Sequence, residues 1–162
     1  MPDLFGTQPG TIHGTWKRVL ITGSRDWLGP PDVIGRALDK QLADWNLTVI
    51  HGDCPDQPGN GRSVDQLARE WAERAILFGM RSGNTIVRHE RYPAYWNELG
   101  KSAGPIRNRY MVQLGADICL AFPTPSSRGT ISCMDLAAAA GIPILNYGTP
   151  REGFNNVGAE VL

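Results

Sequence analysis

The sequence predicts an α/β fold, a Rossmann-like three-layer sandwich around a mainly parallel sheet of about five strands. Three observations predict it. Short apolar runs end at glycine or polar residues, amphipathic stretches of helical period separate them, and the two kinds of segment alternate along the chain. Strands separated by helices run parallel through right-handed crossovers, which sets helices on both faces of the sheet.

The first strand is read in KRVLITGSR, residues 17–25, an apolar run closed by Gly-Ser. In PPDVIGRALDKQLADW, Val33, Ile34, Ala37, Leu38 and Leu42 fall at helical spacing behind two prolines that suit a helix start. LTVIHGD is the second strand. GRSVDQLAREWAERAI carries Val64, Leu67, Ala68, Trp71, Ala72 and Ala75 as the apolar stripe of an amphipathic helix. TIVRHE is the third strand, and RYPAYWNELGKSAG reads as a structured loop. A helix over about 104–114 is expected to turn Ile106, Tyr110 and Leu114 to the core and Arg107 toward an anion. ADICLAFP, a helix through DLAAAA, and IPILNYG complete the pattern. Tails at 1–16 and 149–162 flank one domain, 17–148, and show no clear period.

Composition narrows the function. Of 162 residues, 41% are apolar and 20% charged, as in an ordinary globular chain. Sixteen basic residues balance sixteen acidic ones, so the bulk positive charge that drives binding to nucleic acid is missing. Thirteen of the sixteen basic residues are arginine, whose planar fork suits phosphate and carboxylate, and this leans toward anionic small molecules. The opening MPDLFGTQPGTIHG has neither a basic start nor an apolar segment, and no stretch approaches the roughly 18 apolar residues of a membrane span. A cytoplasmic protein with no membrane partner is expected. Cys54, Cys119 and Cys133 are odd in number without C-x-x-C spacing, and read as core thiols. His13, His51 and His89 lack metal-ligand spacing; His51 and His89 each end a strand, where a hydrogen-bonded structural role is expected. Neither a metal nor a cofactor is predicted.

In open parallel sheets, ligands bind outside the carboxyl ends of the strands. Those ends read GSRDW, HGDC, HERYP, PTPSSRGT and NYGTP. Gly23, Ser24 and Arg25 offer close backbone approach, a hydroxyl and a guanidinium. Ser126, Ser127, Arg128, Gly129 and Thr130 open a helix, where free N–H groups favour an anion, although Thr130 reads equally as a helix cap. Pro105 suits a first helical turn and places Arg107 and Asn108 near its start. Gly52 closes the second strand, and Asp53 and Asp65 are candidates for a ribose hydroxyl, with Asp65 equally readable as a surface charge. Trp96, Tyr92 and Tyr95 could stack on a base or pack over the rim. Neither G-x-G-x-x-G nor a Walker lysine motif is present.

GSR at the first strand end, HGD followed by GRSVDQLAREWA, GKSAGPIRNRYMV, and ADICLAFP leading to SRGT and GIP together resemble the YspA/cpYpsA-related family of the SLOG superfamily. That superfamily is named for the DNA-uptake protein Smf/DprA and the LOG phosphoribohydrolases. The similarity spans about residues 18–145, and AGPIRNRYM is its most specific part. It implies a Rossmann-like fold and a pocket for a nucleotide-derived ligand, with proposed members sensing ADP-ribose derivatives in bacterial and phage conflict systems. On the matching positions it implies roles for Gly23, Ser24, Arg25, Gly52, Asp53, Arg107, Asn108, Arg128, Gly129 and Thr130.

The departures bear on catalysis. LOG enzymes carry PGGxGTxxE, whose glutamate helps cleave an N-glycosidic bond; here Ser126 and Ser127 replace the paired glycines, and Ile131, Ser132, Cys133 and Met134 follow Gly129-Thr130 without a carboxylate. Asp135 lies one residue on, turned by about 100° on the helix. PDQPGN stands as an insertion after HGDC, and Ser63 replaces the family's glycine. Binding or sensing of an AMP-, ADP-ribose- or NAD-like molecule is the favoured reading. A nucleotide N-glycosidase using Asp53, Asp65 or Asp135 is the alternative, and single-stranded DNA binding is less favoured. A homo-oligomer is a further expectation.

Overall fold

The computed structural model describes residues 16–42, 46–82 and 86–162, the side chains of 80–82 excepted. The expected N-terminal tail through residue 15, His13, the end of the first helix at 43–45, and Thr85 of the third strand lie outside the described residues.

Among the described residues, six strands form one parallel sheet: β1 (Trp16–Gly23), β2 (Asn46–His51), β3 (Val87–Arg91), β4 (Ile118–Phe122), β5 (Ile144–Asn146) and β6 (Asn155–Asn156), in the order β3-β2-β1-β4-β5-β6. The helices are α1 (Asp32–Leu42), α2 (Val64–Ser82), α3 (Trp96–Leu99), α4 (Ala103–Leu114) and α5 (Arg128–Ala139). The α/β class and parallel sheet are those the alternation predicts. A sixth strand joins the expected five because Asn155 and Asn156 pair in register with Leu145 and Asn146, with no apolar alternation to announce a strand. Asn146 Nδ2 also donates to Asn156 Oδ1 at 2.8 Å. The stretch read as a structured loop holds α3 and a 3-10 turn at Gly100–Ser102.

The two-residue period of the strands splits the core. Val19, Ile21, Leu120 and Phe122 face α1 and α2, where Ile34, Leu38, Ala68 and Trp71 cover them. Leu20, Cys119 and Ala121 face the other way, onto Met111 of α4 and Cys133, Met134 and Ala137 of α5. No helix among the described residues is long and apolar enough to cross a membrane.

One expectation about the core fails. Ile106, Tyr110 and Leu114 stand exposed on α4, which packs inward through Ala103, Gly104, Asn108, Met111 and Val112. Spacing puts residues on one face of a helix without saying which face is covered. Here small residues and an asparagine form the covered face because α4 lies close against α5 and the sheet.

Candidate functional site

The chain runs outward through β1, β2 and β3, then returns across the sheet to β4. This reversal lies between β1 and β4, and a crevice opens at their carboxyl ends. A cavity of about 600 Å³ occupies it, within the usual size of small-molecule sites. Twelve residues expected at the site line it: Gly23, Ser24, Arg25, Gly52, Asp65, Arg107, Asn108, Ser126, Ser127, Arg128, Gly129 and Thr130.

Asp53 is the exception. It sits in the left-handed region at φ 50°, a conformation that Asp adopts more readily than most residues. Its carboxylate turns away from the lining to accept from Gln66 Nε2 at 3.2 Å and to pair with Arg69 at 3.3 Å and Arg91 at 4.0 Å. The ribose role expected of Asp53 has no support in this placement, since the chain's own cations and amide occupy the group.

Arg107 is buttressed more than it is free. Its Nη1 donates to the carbonyls of Gly52 at 2.5 Å and Tyr92 at 3.1 Å, and its Nε donates to Asn108 Oδ1 at 2.9 Å. The guanidinium thereby ties the ends of β2 and β3 to the start of α4 while forming part of the cavity wall. Asn108, buried beside it, donates from Nδ2 to the Gly129 carbonyl at 3.2 Å and so joins α4 to the first turn of α5.

The α5 entrance is shaped by its own hydroxyls. Ser127 is the N-cap residue, yet its Oγ turns back to accept from the Thr124 N–H at 2.8 Å and makes no capping bond to the helix. Thr130 lies inside the helix and is buried, so it does not serve as the cap. The N–H groups of this turn, Arg128 and the hydroxyls of Ser126 and Ser127 thus gather where an anion is favoured.

Among the described residues, the carboxylates of Asp26 and Asp65 line the cavity. Asp26, which sequence reasoning passed over, accepts from the Ser24 hydroxyl, and its N–H donates to Ser24 Oγ at 3.1 Å. Asp65 is 7% exposed and accepts from the Cys54 N–H at 3.1 Å. Burial pushes the Asp65 carboxyl up to about 6, against the opposing pull of the Cys54 N–H and the Arg107 charge. The surface-charge reading of Asp65 is thereby set aside. Asp135 is outside the cavity lining, exposed and paired with Arg151 at 3.2 Å.

At the mouth, the Arg25 guanidinium lies over the Trp96 ring, 5.0 Å from its centroid, and Trp96 also covers Gly104, where an added Cβ would sit 3.0 Å from the ring. Tyr92 packs edge-on against Tyr110 and Tyr95 is exposed; neither lines the cavity. The inserted 55–60 loop reaches the site through Gln57. Asp56 anchors that loop by accepting from the Ser63 N–H at 2.8 Å, and Ser63 Oγ donates to the Cys54 carbonyl at 2.7 Å. Cys119 and Cys133 are buried, but Cys54 is half-buried and lines the cavity, its thiol pushed up by burial.

Next to Gly52 in the chain, His51 stacks on His89 with ring centroids 4.6 Å apart and their Nε2 atoms in contact. The Asp53 N–H donates to His51 Nδ1 at 2.9 Å, which assigns the His51 proton to Nε2 and makes His89 Nε2 the acceptor. Burial, followed by the neighbouring His89, brings His51 down to about 3. Among the described residues, no group of three or more His, Cys, Asp or Glu is placed to hold a metal ion.

Comparison with known proteins gives a relative from a phage. The Gene 61 protein of Mycobacterium phage D29 is 41% identical over 133 residues, which cover 82% of this chain and 97% of that protein. The chain belongs to the Gene 61 protein's family. The family name states no activity, so the Gene 61 relationship fixes kinship and leaves the cavity's chemistry to be argued from its residues. No protein-family model matches the chain. The X-ray structure of TM1055 overlaps 80% of this chain and 72% of its own with a TM-score of 0.44 at 18% identity, too loose a likeness to bear on the Gene 61 family's function.

Proposed function

We propose that the cavity binds a nucleotide-derived small molecule of the AMP, ADP-ribose or NAD kind, and that the protein is a binding or sensing module. The observation that carries this reading is the convergence of Arg25, Arg107, Arg128 and the first turn of α5 on one cavity of about 600 Å³. Phosphate oxygens are received by the Gly129 and Thr130 amides with Arg128 and Arg25, since charge-assisted bonds to oriented donors favour an anion. Asp65 and Asp26 provide acceptors for ribose hydroxyls, and Trp96 offers an aromatic face at the mouth. After Gly129-Thr130 the sequence carries Ile131, Ser132, Cys133 and Met134 and so lacks the glutamate of the LOG motif PGGxGTxxE, which favours capture over turnover.

A thermal-shift titration with AMP, ADP-ribose, NAD and cyclic ADP-ribose tests the proposal. A ligand at about 100 times its dissociation constant stabilises by roughly 2.7 kcal/mol. A shift with at least one of the four is expected; no shift with any refutes the ligand class.

Asp65 favours a second reading. A buried carboxyl raised to about 6 inside the cavity has the protonation range of a general acid. If the protein hydrolyses an N-glycosidic bond, AMP or NAD releases free base at a rate that Asp65→Asn abolishes. Binding without base release from either compound rejects this second reading and leaves the first intact.

A further inference from the structure

On the nucleotide reading of the cavity, on which this inference rests, we propose that Arg25 guards Trp96. Its guanidinium occupies the ring face on which the base stacks until phosphate at the start of α5 draws it away, so the cavity selects a base that arrives joined to a phosphate. The guanidinium lies over the Trp96 ring, 5.0 Å from its centroid. Among the described residues it makes no hydrogen bond and no ion pair, and the ring is the partner it has. Arg107, by contrast, is fixed by three hydrogen bonds to Gly52, Tyr92 and Asn108. Of these two cavity arginines, Arg25 is the one free to change partners.

Arg25 is rooted beside the phosphate turn. The Ser24 N–H donates to the Phe122 carbonyl at 3.1 Å and Thr124 Oγ1 donates to Ser24 Oγ at 3.5 Å, which ties the residue before Arg25 to the loop that opens α5. Arg25, Trp96 and Ser126 through Thr130 line one cavity, so the ring and a phosphate in that turn compete for the same side chain. A cation–π contact at an exposed site is weak, whereas a guanidinium meets a phosphate through charge-assisted, bidentate bonds. Phosphate therefore wins the exchange. The ring stays behind, because Trp96 covers Gly104, where an added Cβ would sit 3.0 Å from it, and the base stacks in place of the cation. Gln57 lines the same cavity with a side-chain amide that makes no hydrogen bond among the described residues, and it supplies a donor and an acceptor for the edge of the base. A nucleoside has to displace Arg25 with nothing to hold the cation elsewhere; a nucleotide brings the new partner with it.

Calorimetric titration of wild type and Arg25→Ala with AMP and with adenosine tests the exchange. Arg25 is exposed, so the variant is expected to fold as the wild type does. It is expected to bind AMP more weakly, because a phosphate contact is gone, and adenosine about 2–5-fold more tightly, because the ring is uncovered. A residue that only meets phosphate leaves adenosine affinity unchanged, and one that only supports the fold weakens both ligands. Ribose 5-phosphate, which has no base, is expected to change the tryptophan emission of the wild type and to leave that of Arg25→Ala and Trp96→Phe as it was. Adenosine affinity that is equal, lower or undetectable in Arg25→Ala overturns the proposal, as does emission that ribose 5-phosphate leaves unaltered in the wild type or alters equally in Arg25→Ala. In each of those cases AMP binding to the wild type keeps the nucleotide reading; a wild type that binds no AMP overturns both.

Discussion

Arg107 lies directly across Gly52: its Nη1 donates to the Gly52 carbonyl at 2.5 Å, and a methyl group built at Gly52 would stand 2.1 Å from that same nitrogen. The glycine that closes β2 therefore exists to let the guanidinium through. The obstacle is the far end of a flexible side chain, but moving it breaks the bonds to the Gly52 and Tyr92 carbonyls and to Asn108, so Gly52→Ala is expected to displace Arg107 at a stability cost of about 1–3 kcal/mol. The same substitution is expected to weaken ligand binding by about 10-fold or more, as loss of a charge-assisted contact does. Chemical denaturation and calorimetric titration separate the two effects.

Gly23→Ala acts through packing instead. Its added Cβ meets Val64 Cβ and Cγ1 at 2.5 Å, and Val64 is buried, β-branched and fixed at the start of α2, so nothing can move cheaply. Overpacking of this kind costs about 1–3 kcal/mol. A denaturation midpoint equal to wild type would contradict the tight approach of β1 to α2.

The pH dependence of stability has two opposed parts. His51 is neutral down to about 3 when folded against an ordinary 6.5, so its contribution is full above pH 6.5 and is lost as pH falls below it, by up to about 1.4 kcal/mol per pH unit. Asp65, raised from 3.8 to about 6, contributes below pH 3.8 and loses that contribution as pH rises to 6, on the order of 3 kcal/mol. The two oppose each other between pH 4 and 6. Asp65→Asn, which keeps an oxygen to accept the Cys54 N–H, is expected to exceed wild type by about 1–3 kcal/mol at pH 7.5. Its advantage shrinks to nothing near pH 4. Urea unfolding at four pH values checks this, and a constant difference across the range rejects the assignment to Asp65.

Asp135 supplies the control. Its carboxylate is 58% exposed and pairs only at the surface with Arg151, so Asp135→Asn is expected to change stability by no more than about 0.5 kcal/mol. Binding and any base release are expected to match wild type. A large loss of either would bring α5's outer face into the site.

Much of the site was legible because strand ends are legible. An apolar run that stops at Gly-Ser-Arg or at Ser-Arg-Gly-Thr marks both a carboxyl edge and a loop, and parallel topology gathers such edges at one rim. What the rim does with each side chain was not legible. Asp53 and Asp65 stand twelve residues apart with the same chemistry, and only the left-handed turn at Asp53, which delivers its carboxylate to Arg69, separates their fates. Asp26 is not singled out by the strand-end pattern, although Ser-x-Asp spacing suits the local hydroxyl bond that Ser24 makes to it. The α4 stripe was misplaced because apolar periodicity carries no information about which neighbour covers it, and β6 because a two-residue edge strand needs only backbone.

The central claim, that this cavity receives the phosphates of a nucleotide-derived ligand, is tested most directly by calorimetric titration of wild type, Arg25→Ala and Arg128→Ala with AMP and ADP-ribose. Both arginines line the cavity and Arg128 is exposed at its rim, so the variants are expected to keep the wild-type unfolding midpoint. The account predicts one saturable site in the wild type and affinity weaker by about 10-fold or more in each variant. Absence of binding to either compound, or equal affinity in all three proteins, would contradict it.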